Sequence, residues 1–170
     1  MLGYSLNTGD PDVLRAAAGL LIEQKPLVQE YAMDNIYALM DNEEAWIGVY
    51  YAGDCMLMID ENPDLAFYLP EDQTFNVFID AMCIPANAEH KEEAELFINF
   101  LCEPEISGGN MDYIGYGTPV SAAKEYMDPE MANSPIAYPD EETLARGEAF
   151  GALSTEATQL MEELWLEVRS

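Results

Sequence analysis

The sequence predicts an α/β layer architecture built on a mainly parallel sheet. Three observations carry the prediction. Short apolar runs rich in branched and aromatic residues alternate with segments of helical periodicity. A chain of 170 residues that is 49% hydrophobic has enough apolar surface to bury a sizeable core. No composition shift, internal repeat or low-complexity linker divides it, so one domain or a pair of small lobes is expected, and any lobes arise from topology.

Asp10 as N-cap and Pro11 at the first helical position open a helix whose apolar stripe, Leu14, Ala17, Ala18 and Leu21, follows the i, i+3, i+4, i+7 spacing. It ends near Gln24, before Pro26. An extended "LVQEYA" (27–32) precedes a helical "DNIYALMDNEE" (34–44), and "AWIGVYYA" (45–52) reads as a β-strand. Gly53 and Asp54 turn the chain into another short helix. "LAFYLP" (65–70) is a strand closed by Pro70, and "FNVFIDAMCI" (75–84) is extended until "PANA" breaks it. In "HKEEAELFINFLCEP" (90–104), the clearest helix, Ala94, Phe97, Ile98 and Leu101 share one face and Pro104 marks the stop. "ISGGNMDYIGYGTP" (106–119) reads as a turn-rich aromatic loop. Beyond Ser121 the chain is helical in short pieces broken by Pro129, Pro135 and Pro139. It closes with a helix from Thr155 to about Val168, with Ala157, Leu160, Met161, Leu164 and Val168 inward.

Charge narrows the function classes. Six Lys and Arg face 33 Asp and Glu, a formal net charge of -27, so the clustered bases that bind phosphate are missing and nucleic acid is excluded as a partner. The favoured partners are cations, although most single acids only solvate the surface. Cys55, Cys83 and Cys102 lie among apolar neighbours without zinc spacing and read as small buried thiols that do not fix the redox compartment. No run approaches the ~18 apolar residues of a membrane helix. The first residues lack a signal peptide's basic and apolar regions, which leaves a cytosolic protein or a piece of a longer one.

Catalysis is not expected. The single histidine, His90, stands at a charged helix start, no glycine pattern links a strand to a helix, no acidic loop has calcium-site spacing, and no carboxylate pair stands out. No cofactor or metal is implied. Recognition of a cation remains, and an alkylammonium needs carboxylates to match its charge and aromatic faces to wrap its stem. Asp80, an acid inside an apolar run, invites such a partner, because a desolvated carboxylate must be paired. Phe78 shares its strand face. Tyr51 ends a strand with Asp54 just beyond, and Tyr113 and Tyr116 lie in the aromatic loop. By periodicity alone these aromatics also fit a core.

The run "FIDAMCIPANAEHKEEAELFINFLCEPE" (Phe78 to Glu105) resembles the spermidine/putrescine-binding proteins of bacterial ABC transporters. "GYSLNTGDP", "VYYAGD", "IGYGTP" and "YPDEETLARGEAF" resemble further segments in the same order. The resemblance reaches only the C-terminal half of a full member. It implies a type II periplasmic-binding-protein-like fold in which residues 1–76 begin the C-terminal lobe, 77–124 cross to the N-terminal lobe and 125–170 return. By the same likeness Asp80 pairs with a ligand amine. Phe78 and Tyr51 fall where the family often has Trp, Tyr116 matches a cleft tyrosine, and Phe150 falls where some members carry Gln. The implied role is extracytoplasmic capture of a polyamine for delivery to an ABC permease. The acids for the ligand's other end lie upstream in the family, so this chain alone is expected to bind weakly or not at all, and to self-associate, for instance as a dimer. The alternatives are the same fold with another amine or small solute, and an acidic calcium-binding or interaction module.

Overall fold

The computed structural model describes residues 2–170. Contacts divide the chain into two compact units, each discontinuous in sequence. Unit 1 takes the chain up to Met33 together with Pro70–Phe78 and Glu142–Ser170; unit 2 takes Asp34–Leu69 and Ile79–Glu141.

Unit 1 is organised by two long helices. The carboxylate of Asp10 accepts the Asp12 amide and Pro11 occupies the first turn, so α1 runs Pro11–Gln24 where the sequence places it. At the other end Ser154 accepts from the Ala157 amide and starts α8, Thr155–Arg169. The two helices pack together, burying Ala18, Ala157 and Val168. Tyr31 sets its ring edge-on to Trp165 at 5.1 Å. Beside them β1 (Phe75–Asn76) pairs in parallel with β2 (Gly147–Glu148). The Arg146 guanidinium donates to the Pro70 carbonyl at 2.7 Å and lies over the Phe75 ring, tying the segment before β1 to the start of β2.

Unit 2 is helical. Its elements are α2 (Ile36–Asp41), α3 (Ala52–Glu61), α4 (Lys91–Leu101), α5 (Pro104–Ile114) and α6 (Pro129–Ala132), with a 3-10 turn over Ser121–Tyr126 and α7 (Glu141–Leu144) at its border. Helix α5 packs against the 3-10 turn and against α3 and α4, and α2 packs against α3. The buried apolar residues are Ile36, Met58, Ala123, Met127 and Met131.

Several expectations are corrected. Residues 45–50, 65–70 and 77–84 form no strand among the described residues; Phe75 and Asn76 of the third run join a ladder, and the Val77 amide donates to the Glu148 carbonyl just beyond it. Branched and aromatic residues favour a pleated surface, but a strand also needs a neighbour for its backbone groups, and among the described residues these runs form no ladder beyond β1. The supposed aromatic loop is largely helix, because Pro104 both stops α4 and supplies the first turn of α5. Cys83 and Cys102 are exposed, Cys55 is half-buried, and all three are free. Among the described residues no helix is long and apolar enough to cross a membrane.

Candidate functional site

A cluster of phenols gathers around one carboxylate within unit 2. Helix α3 begins at Ala52 with Tyr51 as N-cap, which places Asp54 in its first turn. The Asp54 carboxylate accepts on both oxygens: Tyr37, from α2, donates to Oδ1 at 2.7 Å and Tyr116 donates to Oδ2 at 2.5 Å. Tyr50 donates to Asp34 at 3.2 Å. Its ring meets Tyr37 edge-on at 6.2 Å and Tyr51 at 5.2 Å, arrangements that match the positive edge of one ring to the negative face of the next.

Two glycines let Tyr116 reach this position. Gly115 caps α5 at φ +76, the left-handed conformation that costs other residues energy, and a Cβ there would stand 2.5 Å from the Gly53 carbonyl oxygen. A Cβ on Gly53 would stand 2.3 Å from the Tyr116 ring, so the ring lies directly on the start of α3. The following segment is held as well. Buried Ser107 and Thr118 share a 2.6 Å hydroxyl contact, the Thr118 amide donates to the Tyr138 hydroxyl at 3.1 Å, and the Lys124 ammonium sits 3.5 Å from the Tyr138 ring centroid.

Electrostatics keep the phenols neutral. Burial first, then the hydrogen bond to Asp54 and its charge, push the Tyr37 and Tyr116 hydroxyls well above the ordinary tyrosine range. Burial and the Asp54 charge likewise push the Cys55 thiol up. Chemically this is a half-buried anion in an aromatic surround, a setting for cations and hydrogen-bond donors.

Of the residues expected from sequence, Tyr51 and Tyr116 enter this cluster. Asp80 does not lie in a strand: it stands in the unpaired extended run, exposed, with no hydrogen bond or ion pair among the described residues. Phe78 and Phe150 belong to unit 1 and are 42% and 71% exposed. Tyr37 and Tyr50 were not legible as site residues. Tyr37 sits inside an apolar helical pattern and Tyr50 inside an apparent strand, and only Asp54 after Gly53 hinted at the carboxylate between them.

The sequence profile of bacterial extracellular solute-binding proteins matches residues 3–139. The chain belongs to that family. Among the solute-binding proteins it resembles, the spermidine/putrescine-binding periplasmic protein of Escherichia coli K12 is 35% identical over 147 residues, 86% of this chain and 42% of the relative. The putrescine-binding periplasmic protein SpuD of Pseudomonas aeruginosa is 26% identical over 99% of this chain and 47% of its own length. A Listeria monocytogenes structure described as a spermidine/putrescine ABC transporter superposes with TM-score 0.90 at 34% identity, over 99% of this chain and 52% of its own. The substrate-binding protein PotD of Streptococcus pneumoniae, solved with calcium and HEPES, gives TM-score 0.85 at 31% identity over the same shares. The chain thus spans about half the length of the solute-binding relatives it matches, and its fold is that of a part of a periplasmic-binding-protein architecture.

Proposed function

We propose that this solute-binding chain serves polyamine uptake. The protein that carries it captures spermidine or putrescine outside the cytoplasm and passes it to an ABC permease, without catalysing a reaction. One observation carries the reading: relatives aligned with 86% of the chain at 35% identity are named for binding spermidine and putrescine. The chemistry of unit 2 supports it, since phenol faces around an anion suit a protonated alkylamine. In this reading Asp80, which forms no ion pair among the described residues, pairs with a ligand ammonium. Tyr51 and Tyr116 of the same unit supply ring faces.

Calorimetric titration of the full-length protein with spermidine, putrescine and calcium tests the proposal. Micromolar or tighter polyamine binding is expected, with Asp80→Asn weakening it by about 1.5 to 3 kcal/mol, the worth of a hydrogen bond to a charged group. Unchanged affinity in the variant removes Asp80 from the site. Heat from calcium and none from either polyamine overturns the ligand class.

A further inference from the structure

The hydrogen-bond directions around Asp54 carry a consequence for selectivity. An ionised carboxylate only accepts hydrogen bonds, whereas a phenol can donate one and accept others. Both Asp54 oxygens are engaged, Oδ1 by Tyr37 and Oδ2 by Tyr116, so the hydroxyl proton of each tyrosine is directed at the carboxylate. The Tyr116 ring cannot easily turn away, because it rests on Gly53 and follows the left-handed Gly115. Whatever else the Tyr116 oxygen meets, it meets as an acceptor.

We propose that Asp54 is a positioning residue that sets the polarity of Tyr116: it holds the phenol as an obligate hydrogen-bond acceptor and so selects solute groups that only donate, protonated alkylamines, over acceptor-only groups of similar size. Asp54 touches no solute in this scheme; it acts through Tyr116. The lock needs Asp54 to stay ionised and both phenols to stay neutral. The upward shift of the Tyr37 and Tyr116 hydroxyls, from burial and then from Asp54, agrees with that state.

This inference rests on the proposed amine-binding function, and the experiment separates the two. The full-length protein is titrated with 1,4-diaminobutane and with 4-methoxybutylamine, in which an acceptor-only ether replaces one ammonium. The ratio of the two affinities is compared in wild type, Tyr116→Phe and Asp54→Ala. Tyrosinate absorbance is followed against pH in the same proteins.

With Asp54 removed, the phenol can turn its proton outward and donate to the ether. The ratio is then expected to fall about tenfold, the equivalent of one hydrogen bond to a charged group. The ionisation of two of the ten tyrosines moves to lower pH. Equal weakening toward both ligands, with the ratio kept, means that Asp54 only supports the fold and overturns the proposal. An unchanged tyrosinate profile overturns it too. If Asp54→Ala does not fold, Asp54→Ser carries the same readouts, because its short hydroxyl offers no carboxylate oxygen at the position that now accepts from Tyr116. No diamine binding by wild type defeats the functional reading itself, whereas full affinity and an unchanged ratio in Tyr116→Phe, which keeps the ring face and loses the hydroxyl, overturns the polarity proposal. Diamine binding that depends on Tyr116 but keeps its ratio without Asp54 defeats the polarity proposal alone.

Discussion

Gly53→Ala probes whether the Tyr116 ring rests on α3. The added methyl carbon would stand 2.3 Å from two ring carbons, and ordinary contact begins near 3.4 Å, so the ring or the helix must give by about 1.1 Å. Moved that far from α3, the Tyr116 hydroxyl lies about 3.6 Å from Asp54 instead of 2.5 Å, beyond hydrogen-bonding range. Overpacking of this kind costs about 1 to 3 kcal/mol. The weakened bond to a half-buried carboxylate adds about 1 kcal/mol, and alanine's better helix propensity offsets up to about 1 kcal/mol. A net loss of about 1 to 3 kcal/mol is expected. Urea unfolding at fixed m-value measures it. Tyr116→Ala removes the obstructing ring, so the glycine substitution should cost less than half as much in that background. If Gly53→Ala is as stable as wild type, or costs the same with and without the ring, the packing argument is wrong.

Two further outcomes follow from the same structure. Tyr37 and Tyr116 hold their protons in the folded state to a higher pH than in the unfolded chain. Between the two, the native state binds more protons, so stability is full below about pH 10, the unfolded tyrosine value, and declines above it. Urea midpoints taken from about pH 8 to about pH 11 should show that decline, and Tyr116→Phe should flatten it. Trp46, Ile47 and Val49 are 94%, 88% and 95% exposed in a run that joins no strand among the described residues. Such an apolar edge invites association, and light scattering of this chain at micromolar concentration should give a dimer or larger species, a monomer refuting the expectation.

Helix ends were legible in the sequence wherever one residue decides them. Asp10 with Pro11 marks a start whose cap the structure reproduces, and the last helix begins at Thr155 as expected; of its expected inward set Ala157 and Val168 are buried and Leu160 and Leu164 half-buried, but Met161 is exposed. Strands were not legible in this way, because "AWIGVYYA" and "LAFYLP" carry the composition of strands while a ladder depends on a second segment that composition does not supply. Helix α5 was hidden by Gly108 and Gly109, which lower helix propensity; Gly108 is tolerated where it meets the Ala123 carbonyl closely. The site was half legible. Tyr51 and Tyr116 stood out by resemblance, but the Tyr37 to Asp54 bond joins residues 17 apart and the Tyr116 to Asp54 bond residues 62 apart. No local spacing encodes either.

Unit 1 also constrains how the chain is made. The partners in the β1 and β2 ladder are 72 positions apart, and α1 packs mainly against α8, more than a hundred residues further along the chain. While the ribosome is still extending the stretch between them, α1 lacks this companion, and the loop that must close runs from the end of α1 at Gln24 to the start of α8 at Thr155. Unit 1 can therefore consolidate only once α8 has been synthesised, whereas the segments of unit 2 lie wholly upstream of that helix.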